Sequence, residues 1–256
     1  MTATRVAVLG LGEAGGEIAR DLVAAGADVR GFDPLVNPPK GVEPRADDAD
    51  AVRDADLVLS VNSAHDALPA LENALPALRA GTVWADLNTA APSVKAALAE
   101  RAGAVVDVAL MAPVPGNGLR TPMLASGDAA EQYARLLTAF GADVTVQPGP
   151  AGAATSRKLL RSVFYKGLAA AVVEALAAAE AAGCEPWLRD NIAAELTGFD
   201  RHTVDRLVDG SYRHARRRAD EMTAACAQLE DLGVRPRIAA AALDLLVELR
   251  DREAPA

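Results

Sequence analysis

Aromatic side chains are scarce in this 256-residue chain: two Trp, three Tyr and four Phe make up 4% of it. Its packing must rest on Ala, Leu and Val rather than on stacked rings. Cysteine is scarcer still, with only Cys184 and Cys226. They form no CxxC pair and have no histidine at metal-ligand spacing. This excludes a disulfide scaffold, makes a metal site unexpected, and reads as two buried, reduced thiols in a cytosolic protein. Positive charge is in deficit, since 26 Lys and Arg face 35 Asp and Glu for a net charge of -9. Nucleic-acid binding requires a basic excess on one face, so no such partner is expected. No charge-free run reaches the ~20 residues that span a bilayer. Even the Ala-rich stretch after Gly167 is interrupted by Glu174 and Glu180. The first residues enter a strand pattern with no basic leader before an apolar stretch. A cytoplasmic protein without a membrane partner is the expectation.

Apolar residues are plentiful at 51%, against 24% charged, which suits a globular protein with a sizeable core. The first half alternates short β-branched runs with Ala/Leu-rich segments. Strands are predicted over 6–9, 29–32, 57–61, 82–84 and 105–110, with helices over 14–25, 69–78 and 93–101 between them. Nearly continuous apolar strands separated by helices imply a parallel sheet covered on both faces. Past Pro148-Gly149-Pro150 the pattern is helical only. Helices are predicted over 151–182, 186–196, 203–232 with a break near Gly210, and 236–252. The first of these is too long for half a chain to cover. It predicts passage through a subunit interface, and so a homodimer.

Strand 6–9 runs into Gly10-Leu11-Gly12-Glu13-Ala14-Gly15 and then a helix. In such a GxGxxG turn the first glycine permits the bend and the second lets backbone approach a pyrophosphate. The third lets helix and strand pack closely, and the helix N-terminus aims its N–H groups at phosphate. Asp33 follows the second strand, about twenty residues on, where a carboxylate accepts ribose hydroxyls and repels a 2′-phosphate. The expected cofactor is therefore NAD, with NADP left open. The fold class that follows is α/β: an N-terminal Rossmann domain with a doubly wound parallel sheet over 1–148. An all-α substrate and dimerisation domain over 149–256 completes it.

Further along come Asp86-Leu87-Asn88-Thr89-Ala90-Ala91-Pro92, the run from Val105 to Met111, the run from Pro122 to Asp128, and Gly149 through Lys158. With the glycine turn, this order resembles the β-hydroxyacid dehydrogenase superfamily, which includes 3-hydroxyisobutyrate and 6-phosphogluconate dehydrogenases. Lys158, Lys166-Gly167 and the later His214, Arg218 and Glu221-Met222 resemble the branch with a phosphogluconate-dehydrogenase-like C-terminal domain. The resemblance implies a dinucleotide site at Gly10, Leu11, Gly12, Glu13, Ala14, Gly15 and Asp33. It also implies Val61 and Asn62 along the cofactor and Thr89 beside the nicotinamide. The family's GxGxxxKxxxN motif is matched by Gly152 and Lys158, with Ala154 and Ser162 at its second glycine and its asparagine. Lys158 is then the candidate catalytic lysine.

One departure bears on the substrate. Counted back without gaps from Gly127, Asp107 takes the Asp of the family's Asp-Ala-Pro-Val-Ser-Gly-Gly loop, and Met111-Ala112-Pro113 take Ser-Gly-Gly. Pro113 has no N–H to offer a substrate carboxylate, so a simple β-hydroxyacid is not the expected substrate. Asp107 and Met111 remain substrate-loop candidates by position. On a helix at about 100° per residue, Ser162 and Tyr165 share a face with Lys158, and Lys166 lies at its margin. His214, Arg218 and Glu221 form a second stripe, in which His214 either meets substrate or pairs with Glu221. The resemblance implies an NAD(P)-dependent oxidoreductase moving hydride between nicotinamide and a carbonyl or alcohol carbon of a small molecule. The alternatives are a C=N reductase and a non-catalytic NAD-binding module.

Overall fold

The computed structural model describes residues 4–252. Strands β1 (Arg5–Leu9), β2 (Asp28–Phe32), β3 (Glu43–Pro44), β4 (Leu57–Ser60), β5 (Val83–Asp86), β6 (Val105–Leu110), β7 (Met123–Ser126) and β8 (Val144–Val146) form one sheet. Its order is β3-β2-β1-β4-β5-β6-β7-β8. Neighbours are parallel except β6 and β7. The order reverses direction at β1, between β2 and β4, and that switch point is where a doubly wound sheet opens a crevice at its carboxyl edge.

Strand alternation sorts the core into two layers. Val6, Val8, Leu57, Leu59, Val83 and Ala85 turn to one face, with Ile18 and Leu22 of α1 (Glu13–Ala24) and Tyr133 and Leu137 of α5 (Ala130–Thr138). Ala7, Leu9, Val58 and Trp84 turn to the other. There they meet α2 (Asp48–Val52), α3 (Ala67–Ala74) and α4 (Pro92–Ala102). Neighbouring residues on one strand serve opposite layers, which is why these strands read as unbroken apolar runs.

The expected α/β architecture is present, with β3, β7, β8, α2 and α5 in addition to the predicted elements. α5 is amphipathic, and only Ala130, Tyr133 and Leu137 of it are buried. β3 has two residues, both exposed, too little for an apolar pattern.

The long helix α6 spans Ala153–Ala181, followed by α7 (Glu185–Thr197), α8 (Thr203–Arg213), α9 (Ala215–Asp231) and α10 (Ile238–Arg252). The chain divides into two compact units, one up to Leu160 and one from Arg161. The expected break at Gly210 lies instead at His214, whose φ of -120° and ψ of 22° leave the helix. Gly210 stays helical and gives room to Arg218, whose Nη2 lies 2.8 Å from the place a Cβ would take. In the second unit the Glu174 carboxylate accepts the backbone N–H groups of Arg237, Ile238 and Ala239. It thereby caps the start of α10 from α6. Burial alone would raise its pKa, but these three donors and the Arg237 charge hold it below the usual value.

Few side chains of this unit are buried. Among its described residues only Ala178, Ala179, Thr203, Ala215, Ala219 and Leu249 are. Val163 is 74% exposed, Val173 69% and Trp187 66%. By length and composition alone α6 is also apolar enough to cross a membrane. Both cysteines are free, but Cys184 is exposed and Cys226 half-buried. The expectation of two buried thiols is thus corrected, because this unit has almost no interior of its own.

Candidate cofactor and proton-transfer site

The glycine turn has the geometry its sequence implies. Gly10 has φ +91°, and a Cβ there would lie 2.4 Å from Val61 O and 2.6 Å from Asn62 Oδ1. A Cβ on Gly15 would stand 1.9 Å from Gly10 O. Gly12 meets nothing within 4 Å. It caps α1 with no side-chain hydrogen bond, so the first N–H groups, around Glu13 and Ala14, keep their capacity for an anion. Glu13 is exposed and Ala14 half-buried.

Asp33 is held on both oxygens. Oδ2 accepts Leu11 N–H at 2.7 Å, and Oδ1 accepts those of Leu35 and Val36 at 2.8 and 2.9 Å. Leu11 is therefore engaged on both sides, with its side chain in the core and its amide fixing Asp33. Its N–H is thus engaged in setting that carboxylate. A cavity of about 560 Å³ opens here, lined by Gly10, Gly12, Asp33, Val61 and Asn62, and by Asp48, Asp66 and Asn73. Among the described residues no Lys or Arg lines it. Burial raises the Asp48 carboxyl, against the hydrogen bond from Asn73. A second cavity of about 420 Å³, lined by Thr4, Asp56, Arg79 and Thr82, lies at the amino edge of the sheet, away from the Gly10–Gly15 turn.

At the carboxyl ends of β4 and β5 lies a polar cluster. Ser60 Oγ accepts from Asn62 Nδ2 at 3.2 Å and from Asn88 Nδ2 at 3.1 Å. Asn88 Oδ1 is buried with no hydrogen-bond partner among the described residues, an acceptor a ligand N–H or water can satisfy. Next to it, Lys158 Nζ donates to Thr89 Oγ1 at 2.9 Å. The structure thus brings together the lysine and threonine that the resemblance singled out, 69 residues apart in sequence.

Asp107 is placed otherwise than at a substrate. It is fully buried, and Oδ2 accepts Gly152 N–H at 3.0 Å and Thr155 N–H at 2.8 Å. Its Oδ1 accepts Thr155 Oγ1 at 2.6 Å and lies 3.2 Å from Lys95 Nζ. Lys95, fully buried on α4, also meets Asp86 Oδ2 at 2.6 Å and donates to Asp86 O at 2.9 Å. In this structure Asp107 anchors the start of α6. The sequence gives Asp86, Asn88, Lys95 and Thr155 no role of their own, although Asp86, Asn88 and Thr155 lie in the segments that carry the resemblance. A lysine signals solvent by default, and the one clue was its place three residues before Leu98 on an apolar helix face.

Met111 is half-buried and donates its N–H to Pro122 O at 2.8 Å. The loop it opens is tied to α1, where Glu17 accepts Gly116 N–H and Asp21 accepts Leu119 N–H. In the second unit, Ser162 is half-buried and Tyr165 and Lys166 exposed. The Arg161 guanidinium lies 4.3 Å above the Tyr165 ring. Arg218 donates to Ser211 Oγ at 2.7 Å. Glu221 pairs with Arg217, not with His214. His214 sits exposed between α8 and α9, so the expected stripe is interrupted. The described residues contain no cluster of metal-ligating side chains.

Comparison with known proteins matches residues 5–149 to the NAD binding domain of 6-phosphogluconate dehydrogenase, and residues 179–249 to a domain of unknown function (DUF1932). A conserved hypothetical protein from Sinorhizobium meliloti is 31% identical, with 96% of this chain and 88% of that one covered and a TM-score of 0.64. The conserved protein MTH1747, itself described as similar to 3-hydroxyacid dehydrogenases, is 25% identical over 96% of this chain and 97% of that one, with a TM-score of 0.63. An imine reductase variant from Myxococcus stipitatus, in complex with NAD+, shares the fold at 18% identity and a TM-score of 0.81, over 99% and 95% of the two chains. The first match spans more than half of the chain and includes every residue of the glycine turn, so this chain belongs to the family of the 6-phosphogluconate dehydrogenase NAD-binding domain, joined to a DUF1932 domain.

Proposed function

We propose that the protein is an NAD-dependent oxidoreductase that interconverts carbonyl and alcohol carbons of a small substrate. The observation that carries this reading is the Lys158 amine on Thr89 Oγ1, at the sheet edge where β4 and β5 end. Bound NAD(H) supplies the hydride acceptor or donor. The chain supplies the rest: the α1 N-terminus and Gly12 for the pyrophosphate, and Asp33 for the ribose edge. Lys158 supplies a proton for the substrate oxygen. Lys158 would donate that proton as a carbonyl is reduced and take it back as an alcohol is oxidised.

NAD rather than NADP is supported by the cavity lining, where Asp33, Asp48 and Asp66 stand with no cation to receive a 2′-phosphate. C=N reduction is the second reading, favoured by Met111-Ala112-Pro113, which lacks the Ser and Gly donors for a substrate carboxylate. Retention of Lys158 weighs against it.

A homodimer is also proposed, with the exposed apolar sides of α6, α7 and α8 covered by a second copy. A membrane is a poorer cover, because Glu174 sits within the apolar part of α6 as a carboxylate with three hydrogen-bond donors. The test of function is a nicotinamide-absorbance screen of carbonyls, alcohols and imines with both cofactors. Carbonyl or alcohol turnover with NAD(H) is expected. Turnover of imines alone supports the second reading, and no turnover in any class leaves the binding-module reading.

A further inference from the structure

The sheet edge contains a buried cation that the proposed chemistry does not use. Lys95 is fully buried, yet its Nζ reaches two carboxylates on different segments. It lies 2.6 Å from Asp86 Oδ2 and 3.2 Å from Asp107 Oδ1. Each carboxylate controls one half of the Lys158–Thr89 pair. Asp86 opens the loop that carries Thr89, and its Oδ1 accepts Asn88 Nδ2 at 2.5 Å. Asp107 takes the N–H groups of Gly152 and Thr155, and Thr155 stands one helical turn before Lys158. Gly152 (φ +105°) seats that turn against the start of α4, where the Thr89 loop ends, as a Cβ there would lie 3.0 Å from Pro92 O.

We infer that Lys95 is a positioning residue: it ties the Thr89 loop to the first turn of α6 and so sets where the Lys158 amine lies. The physical reason is the shared cation. Asp86 and Asp107 are register partners on the paired strands β5 and β6; two buried carboxylates so close repel each other unless a positive group lies between them, and Lys95 lets each keep the groups it holds. A sheet-to-helix staple alone would need only one carboxylate. Here the cation serves two carboxylates, one at the root of the Thr89 loop and one holding the first turn of α6. The inference rests on Lys158 being the proton-transfer group of the proposed reaction.

The test reads the Lys158 amine itself, in the full-length protein without cofactor or substrate, so it does not depend on a productive substrate. Site-resolved acylation at fixed pH gives the labelling rate of Lys158 relative to Lys166, an exposed reference on the same helix. Thr89→Val removes this acceptor and sets the size of losing this one contact, roughly 2–10-fold for one hydrogen bond. Lys95→Met/Asp86→Asn removes one cation and one anion, so the cluster's formal charge is unchanged while the tie is cut. This double variant is expected to raise the Lys158-to-Lys166 ratio to the Thr89→Val level. Leu98→Ala, equally buried on α4 but outside the cluster, is expected to leave the ratio at its wild-type value. If the double variant does not fold by circular dichroism, Asp86→Asn alone carries the same expectation at smaller size. A folded tie-breaking variant with the wild-type ratio overturns the inference, as does an equal rise in Leu98→Ala. An unchanged ratio in Thr89→Val overturns it too, since there would then be no contact to position.

Discussion

Asp107→Asn separates two accounts of that residue. Its carboxylate accepts two backbone N–H groups at the start of α6 and the Thr155 hydroxyl, and it shares the Lys95 cation. An amide keeps one acceptor oxygen but turns an NH2 toward donors, so at least one buried N–H loses its partner. Each hydrogen bond to a charged acceptor contributes ~1.5–3 kcal/mol. Removing one member of a buried ion pair costs ~3–5 kcal/mol. Both figures describe the same loss and are not summed, so the expected destabilisation is ~3–5 kcal/mol. At roughly 2–4 °C per kcal/mol for 150–250 residues, the melting temperature should fall by about 6–20 °C. The assay is thermal unfolding at matched protein concentration, since a dimer's midpoint depends on it. A fall of less than about 2 °C with a large loss of turnover would refute the anchor role and return Asp107 to the substrate.

Three further outcomes follow from the same geometry. Asp33→Ala should narrow the preference for NADH over NADPH, since it removes a like-charge repulsion on the order of 1–3 kcal/mol; fluorescence-quenching titrations with both nucleotides measure it, and an unchanged ratio would contradict the assignment. Glu174→Gln should destabilise the helical unit at neutral pH but not in acid. The wild-type carboxyl lies below its ordinary value of 4.5, so its contribution is full above that value and is lost as pH falls through the lowered one; a stability gap that persists in acid would show that the charge is irrelevant. Light scattering should give twice the 26.4 kDa chain mass, and a monomer at micromolar concentration would leave Val163, Val173 and Trp187 without cover.

The sequence made the Rossmann half legible because its signals are local. Gly10 and Gly15 each do a job that backbone geometry alone decides, and strands such as Val6–Leu9 are apolar throughout because both faces are covered. Lys158 and Thr89 could be named only through the resemblance, since nothing in local pattern joins positions so far apart. The Lys95 cluster was illegible for a physical reason: a lysine is buried only when its partners are fixed by tertiary structure, and Asp86 and Asp107 lie on different strands. The helical half misled in detail. Gly210 reads as a breaker, but its missing side chain serves Arg218, and the chain leaves the helix at His214 instead. The cysteines were misjudged because an apolar composition does not give one chain an interior when its helices expose Val173 and Trp187.

The claim that Lys158 moves the proton is tested most directly by Lys158→Met, with steady-state turnover on the best substrate from the absorbance screen and NADH affinity measured alongside. The account predicts kcat lower by ~10²–10⁴, the range for a lost positioned acid or base. NADH binding and thermal stability should stay close to wild type. A Lys158→Met protein that keeps most of its turnover would contradict the account, and a dead Lys166→Met protein beside it would move the role to Lys166.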